Sequence, residues 1–175
     1  MAQLETIEMR PARPEDARQV AQVHVSSWRH AYRGMLPDEN LEPLSIDDRE
    51  AMWLGASSDP DPKSGTFVAE IEGRIVGFAS FGRSRDDDAP AGTGEVPAIY
   101  VEPAALGTGV GRELLRAATD ALRDAGFDRA SLWVLEANDL ARRFYEKAGW
   151  RWDGSVSQHD FECANRPVVR YAVDL

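Results

Sequence analysis

Gly94-Glu95-Val96-Pro97-Ala98-Ile99-Tyr100-Val101-Glu102-Pro103-Ala104-Ala105-Leu106-Gly107-Thr108-Gly109-Val110-Gly111-Arg112 is the stretch on which the fold turns. Its first half reads as a strand, Glu95 to Val101. A turn follows at Glu102 to Ala105, and the glycine-rich run Leu106 to Gly111 then opens directly into an amphipathic helix from about Arg112. Strand, glycine loop and helix start together make an anion site. The first amides of a helix have no acceptor within it and sit at its positive end, and glycine lets a phosphate come against bare backbone. A phosphorylated ligand is expected here.

Spacing narrows the choice of ligand. A Walker loop ends in Gly-Lys-Ser/Thr, but Gly111 is followed by Arg112 and Glu113, so the phosphate lysine and the magnesium hydroxyl are both missing. A dinucleotide fingerprint reads G-x-G-x-x-G, whereas the glycines at 107, 109 and 111 leave Arg112 where the last should fall. The loop resembles instead the pyrophosphate loop of the GNAT superfamily, the acetyl-coenzyme A-dependent N-acetyltransferases: Arg or Gln, two residues, Gly, one residue, Gly or Ala. Gly109 and Gly111 fit, while Leu106 departs from the family's Arg or Gln. A glycine turn before an ordinary helix also matches so short a pattern. A second stretch weighs against that reading. Asn138-Asp139-Leu140-Ala141-Arg142-Arg143-Phe144-Tyr145-Glu146-Lys147-Ala148-Gly149-Trp150 is similar to the family's other hallmark, Asn-x-x-Ala-x-x-Phe-Tyr-x-x-x-Gly-aromatic, at every named position.

The resemblance is strongest over residues 66 to 150. It implies one N-acetyltransferase domain over residues 1–175, of α/β class, with a mixed, mostly antiparallel sheet flanked by helices and with splayed central strands. It further implies direct acetyl transfer from acetyl-coenzyme A, as co-substrate and without a metal, to a primary amine of a small molecule or of a protein or peptide N-terminus. A non-catalytic acyl-coenzyme A-binding module is the alternative, and an unrelated nucleotide-binding regulator a third reading. Dimers are common in the family, so a homodimer is compatible with it.

Composition agrees with a globular protein rather than a disordered one, at 43% hydrophobic and 29% charged residues over 175 positions. The formal charge of −10 argues against a nucleic-acid partner, because neutralising phosphates takes a basic surface. It suits a cationic amine, although many acidic proteins are acidic for solubility alone. The single cysteine, Cys163, excludes an internal disulfide and looks like a bystander; His24, His30 and His159 lack metal spacing. Neither a leader-like N-terminus nor an apolar run long enough to span a membrane is found, so a cytoplasmic protein is expected.

In chain order, Leu4, Ile7 and Met9 form a short strand, and Pro14 to about Tyr32 a helix stopped at Gly34. Leu36 begins a short second segment, and Ser45 caps a helix through Trp53. Residues 57 to 65 are loop by composition. Thr66 to Ile71 and Arg74 to Phe81 form a hairpin turned at Glu72-Gly73. Residues 82 to 92 form a breaker-rich mobile loop whose Asp86-Asp87-Asp88 run reads as a solvated face. The helix after the glycine loop carries Leu114, Leu115, Ala118 and Leu122 inward. Ser131 to Leu135 is a buried strand, Asp139 to Lys147 a helix, and Trp150 to Ser157 with Val168 to Val173 a closing antiparallel pair.

The site residues follow from the two motifs. The family's loop assigns Leu106, Gly107, Thr108, Gly109, Val110, Gly111 and Arg112 to the pyrophosphate. Arg112, Arg142 and Arg143 are candidates for the phosphates, since guanidinium pairs well with their oxygens. The resemblance also implies that backbone at Ile99, Tyr100 and Val101 pairs with pantetheine amides, and Pro97, which removes a ladder hydrogen bond, is consistent with an opened sheet. Asn138, Ala141 and Tyr145 share a helix face along which a slender ligand could lie, with Asn138 bonding an amide and Tyr145 reaching the sulfur. An N-cap and an edge tyrosine are the bland readings of those two. Leu140, Phe144 and Ala148 make a separate stripe expected to face the core. Tyr145 is the candidate acid for the leaving thiolate, and Glu95 the candidate base, directly or through water, unless it is an exposed strand-end carboxylate. Trp28 and Tyr32, four apart, either line the acceptor pocket that the family places here or are core.

Overall fold

The computed structural model describes residues 6–56, 61–161 and 164–175; Leu4, loop residues 57–60 and Cys163 lie outside the described residues. The elements run β1 (Glu8–Pro11), a 3-10 turn (Pro14–Asp16), α1 (Ala17–Ala31), α2 (Asp38–Leu41), α3 (Ile46–Ala56), β2 (Gly65–Ile71) and β3 (Arg74–Arg83). There follow β4 (Thr93–Val101), a second 3-10 turn (Pro103–Ala105), α4 (Val110–Asp124), β5 (Arg129–Leu135), α5 (Asp139–Lys147), β6 (Arg151–Asp160) and β7 (Asn165–Asp174). Local chemistry explains the ends. The amide of Asp48 donates to Ser45 Oγ at 3.2 Å, the expected cap on α3. Glu72 and Gly73 turn the β2–β3 hairpin with positive φ of 52° and 76°, as a right-twisted two-residue turn requires.

The seven strands form one sheet in the order β1-β2-β3-β4-β5-β7-β6, antiparallel except where β4 meets β5. That parallel contact is short: Thr93, Gly94 and Glu95 pair with Arg129, Ala130 and Ser131, and pairing stops there. On its other edge β4 stays paired to β3 as far as Val101, but Ser80 opposes Ala98 while Gly82 opposes Glu95. Two residues of β4, Val96 and Pro97, therefore stand against one of β3. This bulge sits where proline has no N–H to give, and it bends β4 away from β5. The splayed centre expected from Pro97 is thus a feature of the sheet.

Each face carries its own core. On one side α4 lays Val110, Leu114, Leu115, Ala118 and Leu122 against the sheet. The approach is close: a Cβ at Gly77 would lie 2.9 Å from Leu114 Cδ1 and 3.1 Å from Tyr100 O. On the other side α1 buries Val20 and Val23 over Val68, Ile75 and Phe78.

Two expectations need correcting. The 82–92 loop is pinned rather than simply solvated. Asp86 accepts from the Trp133 indole at 2.9 Å and, with Asp88, from Arg170, whose Nη1 lies 3.1 Å from Asp86 and 2.7 Å from Asp88. Arg170 is itself buried and also bonds Asp153 at 2.7 Å, so the acidic run answers a cation inside the sheet. On α5, Leu140 and Ala148 of the expected core stripe face outward, Leu140 at 76% exposure, while its third member, Phe144, packs against the core and Asn138 and Tyr145 are buried. The motif face packs inward because α5 lies at the rim of the sheet opening with that face turned toward it.

Candidate active site

The start of α4 is built as an anion cradle. Gly107 and Gly109 take left-handed backbone, φ 79° and 96°, which L side chains resist, and Gly109 is the N-cap of α4. The amide of Glu113 closes the first turn onto Gly109 O at 3.1 Å, leaving Val110, Gly111 and Arg112 amides with no acceptor in the helix. Thr108 turns its hydroxyl inward onto Ala105 O at 2.7 Å. Arg112 is largely exposed and folds back so that its Nη2 would lie 3.9 Å from a Cβ at Gly109. Leu106, nearly half exposed, brings no polar group, so the donors here are backbone amides and Arg112. Gly111 packs against both α5 and β4: a Cβ there would meet Phe144 at 3.5 Å and Val101 at 3.7 Å. The glycine loop, β4 and α5 therefore meet at one place.

Next to the loop lies the open edge of β4. The amide of Glu102 donates to Val76 O on β3 at 2.8 Å. Because ladder bonds alternate along a strand, the amides of Ile99 and Val101 point the other way, into the gap left by β5. Tyr100 alternates with them. Its ring goes to the α1 face, stacked on His24 with centroids 5.2 Å apart.

α5 closes the gap from the side. Asn138 caps it, its Oδ1 accepting from Ala141 N at 3.1 Å, so the N-cap reading holds and the Nδ2 group remains as donor. Tyr145 is buried, packed 6.2 Å from the Tyr171 ring and 5.2 Å from Phe144. Burial, then the Tyr100 phenol, push its hydroxyl well above the usual tyrosine range, and no hydrogen bond from a described residue engages it. Arg142 goes elsewhere: its Nε donates to Tyr171 Oη at 3.2 Å and its Nη1 to Glu136 O at 3.1 Å. Two helix positions from Phe144 point to nearly opposite faces, so Arg142 is not brought to the loop, contrary to expectation. Arg143 is exposed.

On the α1 face the gap opens into a cavity of about 1240 Å³. Glu95 lies in its wall, 3% exposed rather than at a solvated strand end. Arg85 holds it: Oε1 accepts from Nη2 at 2.9 Å, and Oε2 from Nε at 3.2 Å and from the Arg85 amide at 3.1 Å. Trp28 and Tyr32 line the cavity and also pack on one another at 5.2 Å, so pocket and core readings both apply. Tyr32 is held neutral by burial and by the neighbouring Tyr100 phenol. Sequence reasoning passed over His24, Arg85 and Trp133, which also line this space. Trp133 meets Asp86 over 47 positions, whereas His24 shares a helix face with Trp28 four residues on, a spacing that could have marked it.

An acetyltransferase (GNAT) family model matches residues 21–150. The chain belongs to the GNAT acetyltransferase family. It is thus an acyltransferase whose acyl donor is acetyl-coenzyme A. Among relatives of this GNAT chain, an uncharacterized N-acetyltransferase of Bacillus subtilis, YuaI, is 36% identical over 133 residues, 75% of this chain and 73% of its own length. A probable N-acetyltransferase of Mycobacterium tuberculosis is 30% identical over 169 residues, 94% and 92% of the two chains. In fold, the GNAT chain is similar to PaiA N-acetyltransferase of Thermoplasma acidophilum, solved in complex with coenzyme A, with a TM-score of 0.78 at 19% identity over 97% of this chain and 99% of that one. Among the described residues no group of His, Cys, Asp and Glu could hold a metal ion, and no helix is long and apolar enough to cross a membrane.

Proposed function

We propose that this enzyme acetylates a primary amine by direct transfer, with the donor on the α4 side of the β4–β5 gap and the acceptor in the aromatic cavity on the α1 side. One observation carries the reading: pairing between β4 and β5 ends at Glu95 and Ser131, so beyond that rung the two strands part, and through that opening donor and acceptor would meet.

The residues fit the donor. Amides of Val110, Gly111 and Arg112, with the Arg112 side chain, would hold its pyrophosphate; the Ile99 amide and the Asn138 Nδ2 group would hold its pantetheine arm. When bound it supplies an acetyl thioester. The chain supplies the rest. The Val101 amide is a fixed donor aimed at the gap, where negative charge would develop on an oxygen. Tyr145 keeps its proton on Oη, available to a departing thiolate. Glu95 Oε1 accepts one hydrogen bond from the described residues, leaving it room to take a proton from the amine, directly or through a water.

A melting-temperature comparison tests the reading. At about a hundred times its dissociation constant a ligand adds about 2.7 kcal/mol, so acetyl-coenzyme A and coenzyme A should raise the transition while ATP and NAD at equal concentration do not. Thiol release dependent on an added primary amine should accompany the shift. Binding without any amine-dependent turnover would favour the non-catalytic module.

A further inference from the structure

On the acceptor side of the gap four rings close around one imidazole. His24 of α1 stacks on Tyr100 of β4, 12° from parallel, and is edge-on to Trp28 at 5.3 Å, Trp53 at 6.1 Å and Phe78 at 6.0 Å. It is 6% exposed, and neither of its ring nitrogens has a hydrogen-bond partner among the described residues. A polar group buried without a partner costs stability, and that cost is recovered when a ligand supplies the partner. His24, Trp28, Trp53 and Tyr100 all belong to the cavity wall; the His24 nitrogens lie sealed beneath those rings, so a ligand in the cavity bonds them once the ring side chains shift aside.

Charge argues for the kind of ligand. The cavity's carboxylates are engaged: Glu95 by Arg85, Asp86 by Trp133 and Arg170, and Asp61 by Arg83 at 3.3 Å; Asp160 has a partner as well. A polycationic amine would have to compete for each of them. A flat apolar body finds instead a wall of rings. The Arg49 guanidinium lies over the Trp28 ring, 5.4 Å from its centroid, and repels a second cation from that end. The acceptor's amine is thereby turned toward the gap and Glu95.

We propose that this wall is the acceptor subsite for an aromatic monoamine, and that His24 is its specificity-determining residue. The acceptor's ring lies among Trp28, Trp53 and Tyr100, and an O–H or N–H on the ring donates to a nitrogen of His24. Burial, and then Arg49, hold the imidazole's pKa down to about 4, so at neutral pH it keeps one nitrogen as acceptor and one as donor. The proposal rests on the amine-acetylation reading above and adds the substrate class to it.

Tyramine, phenethylamine and spermidine are the probes, assayed by thiol release from acetyl-coenzyme A. Tyramine and phenethylamine differ only in the ring hydroxyl that would meet His24. The expected result is a KM for tyramine roughly tenfold below that for phenethylamine, with spermidine poorer than both. In His24→Phe, which keeps a ring in the stack, the KM of tyramine rises to that of phenethylamine while kcat and the acetyl-coenzyme A melting shift hold. If His24→Phe does not fold, the melting shifts given by tyramine and phenethylamine to the wild-type protein with coenzyme A read the same difference. Spermidine turnover equal to tyramine's, or a tyramine preference that survives in His24→Phe, overturns the subsite and leaves amine acetylation standing. An acetyl-coenzyme A shift with no turnover of any amine overturns both.

Discussion

Glu95 of β4 stands opposite Ser131 of β5, and beyond that pair the two strands do not meet. Its side chain is buried and gripped by Arg85, so one residue is at once the last parallel rung and the carboxylate at the mouth of the gap. The bulge at Val96 and Pro97 follows immediately. Backbone opening and candidate base are therefore locked together by position.

Glu95→Gln preserves the rung and the side chain's volume but removes its proton affinity. Amine-dependent turnover should fall about 100-fold or more, the usual scale of general-base assistance. Acetyl-coenzyme A affinity, measured by titration calorimetry, should stay within about twofold. A parallel loss of affinity would mean that Glu95 holds the sheet opening in shape rather than moving a proton.

Asn138 does two things that two substitutions separate. Asn138→Asp keeps an oxygen for the Ala141 amide and removes the Nδ2 donor, so stability should hold while acetyl-coenzyme A binds several-fold more weakly. Asn138→Ala loses the cap as well and should cost about 1 kcal/mol in denaturant unfolding.

Arg170 organises the acidic loop from within the sheet. Its guanidinium answers Asp86, Asp88 and Asp153, which together raise its pKa above the ordinary arginine value, Asp88 most. Arg170→Met would leave Asp86 with only the Trp133 indole and Asp153 with only the more distant Arg129, 4.0 Å away, among these partners. We expect a loss of about 3 kcal/mol in unfolding free energy, the scale for breaking a buried pair from one side, and faster hydrogen exchange across residues 84–92.

How much of this was written in the sequence varies with distance along the chain. The glycine loop and the Asn138 to Trp150 hallmark were legible because each is local: left-handed glycines, a helix start, an N-cap. Pro97 announced the opened sheet for the same reason, since a missing N–H is a property of one residue. On α5 helical spacing separated the two stripes but not their depth: Phe144 of the expected core stripe does pack inward, while Leu140 and Ala148 at its ends stay exposed and Tyr145 of the other stripe is buried. Arg142 reaches Tyr171, and Asp88 reaches Arg170, over 29 and 82 positions, and nothing near either residue signals its partner. His24 was weighed only for metal spacing; the rings around it come from α1, α3, β3 and β4.

Acid should find His24 early. Its folded pKa is about 4 against an ordinary 6.5, a depressed value, so its share of stability is complete above pH 6.5 and lost as pH falls toward 4. Over that window the loss amounts to about 3 kcal/mol. Asp16 and Asp153, whose pKa values are lowered below 3.8, give way only under stronger acid. Melting curves from pH 7.5 to 4.5 should show this slope in the wild-type protein and a flatter one in His24→Phe.

Tyr145→Phe bears most directly on the account. The hydroxyl bonds no described residue, so its removal should leave folding and acetyl-coenzyme A affinity nearly unchanged. The measurement is single-turnover acetyl transfer from saturating acetyl-coenzyme A to an amine that the wild-type enzyme accepts, followed by released thiol. A rate reduced about 100-fold, with coenzyme affinity intact, is what a proton held on Oη for the leaving sulfur predicts. A rate equal to the wild type's would contradict it, and the passage between β4 and β5 would then be a route for substrates without the proton donor assigned to it.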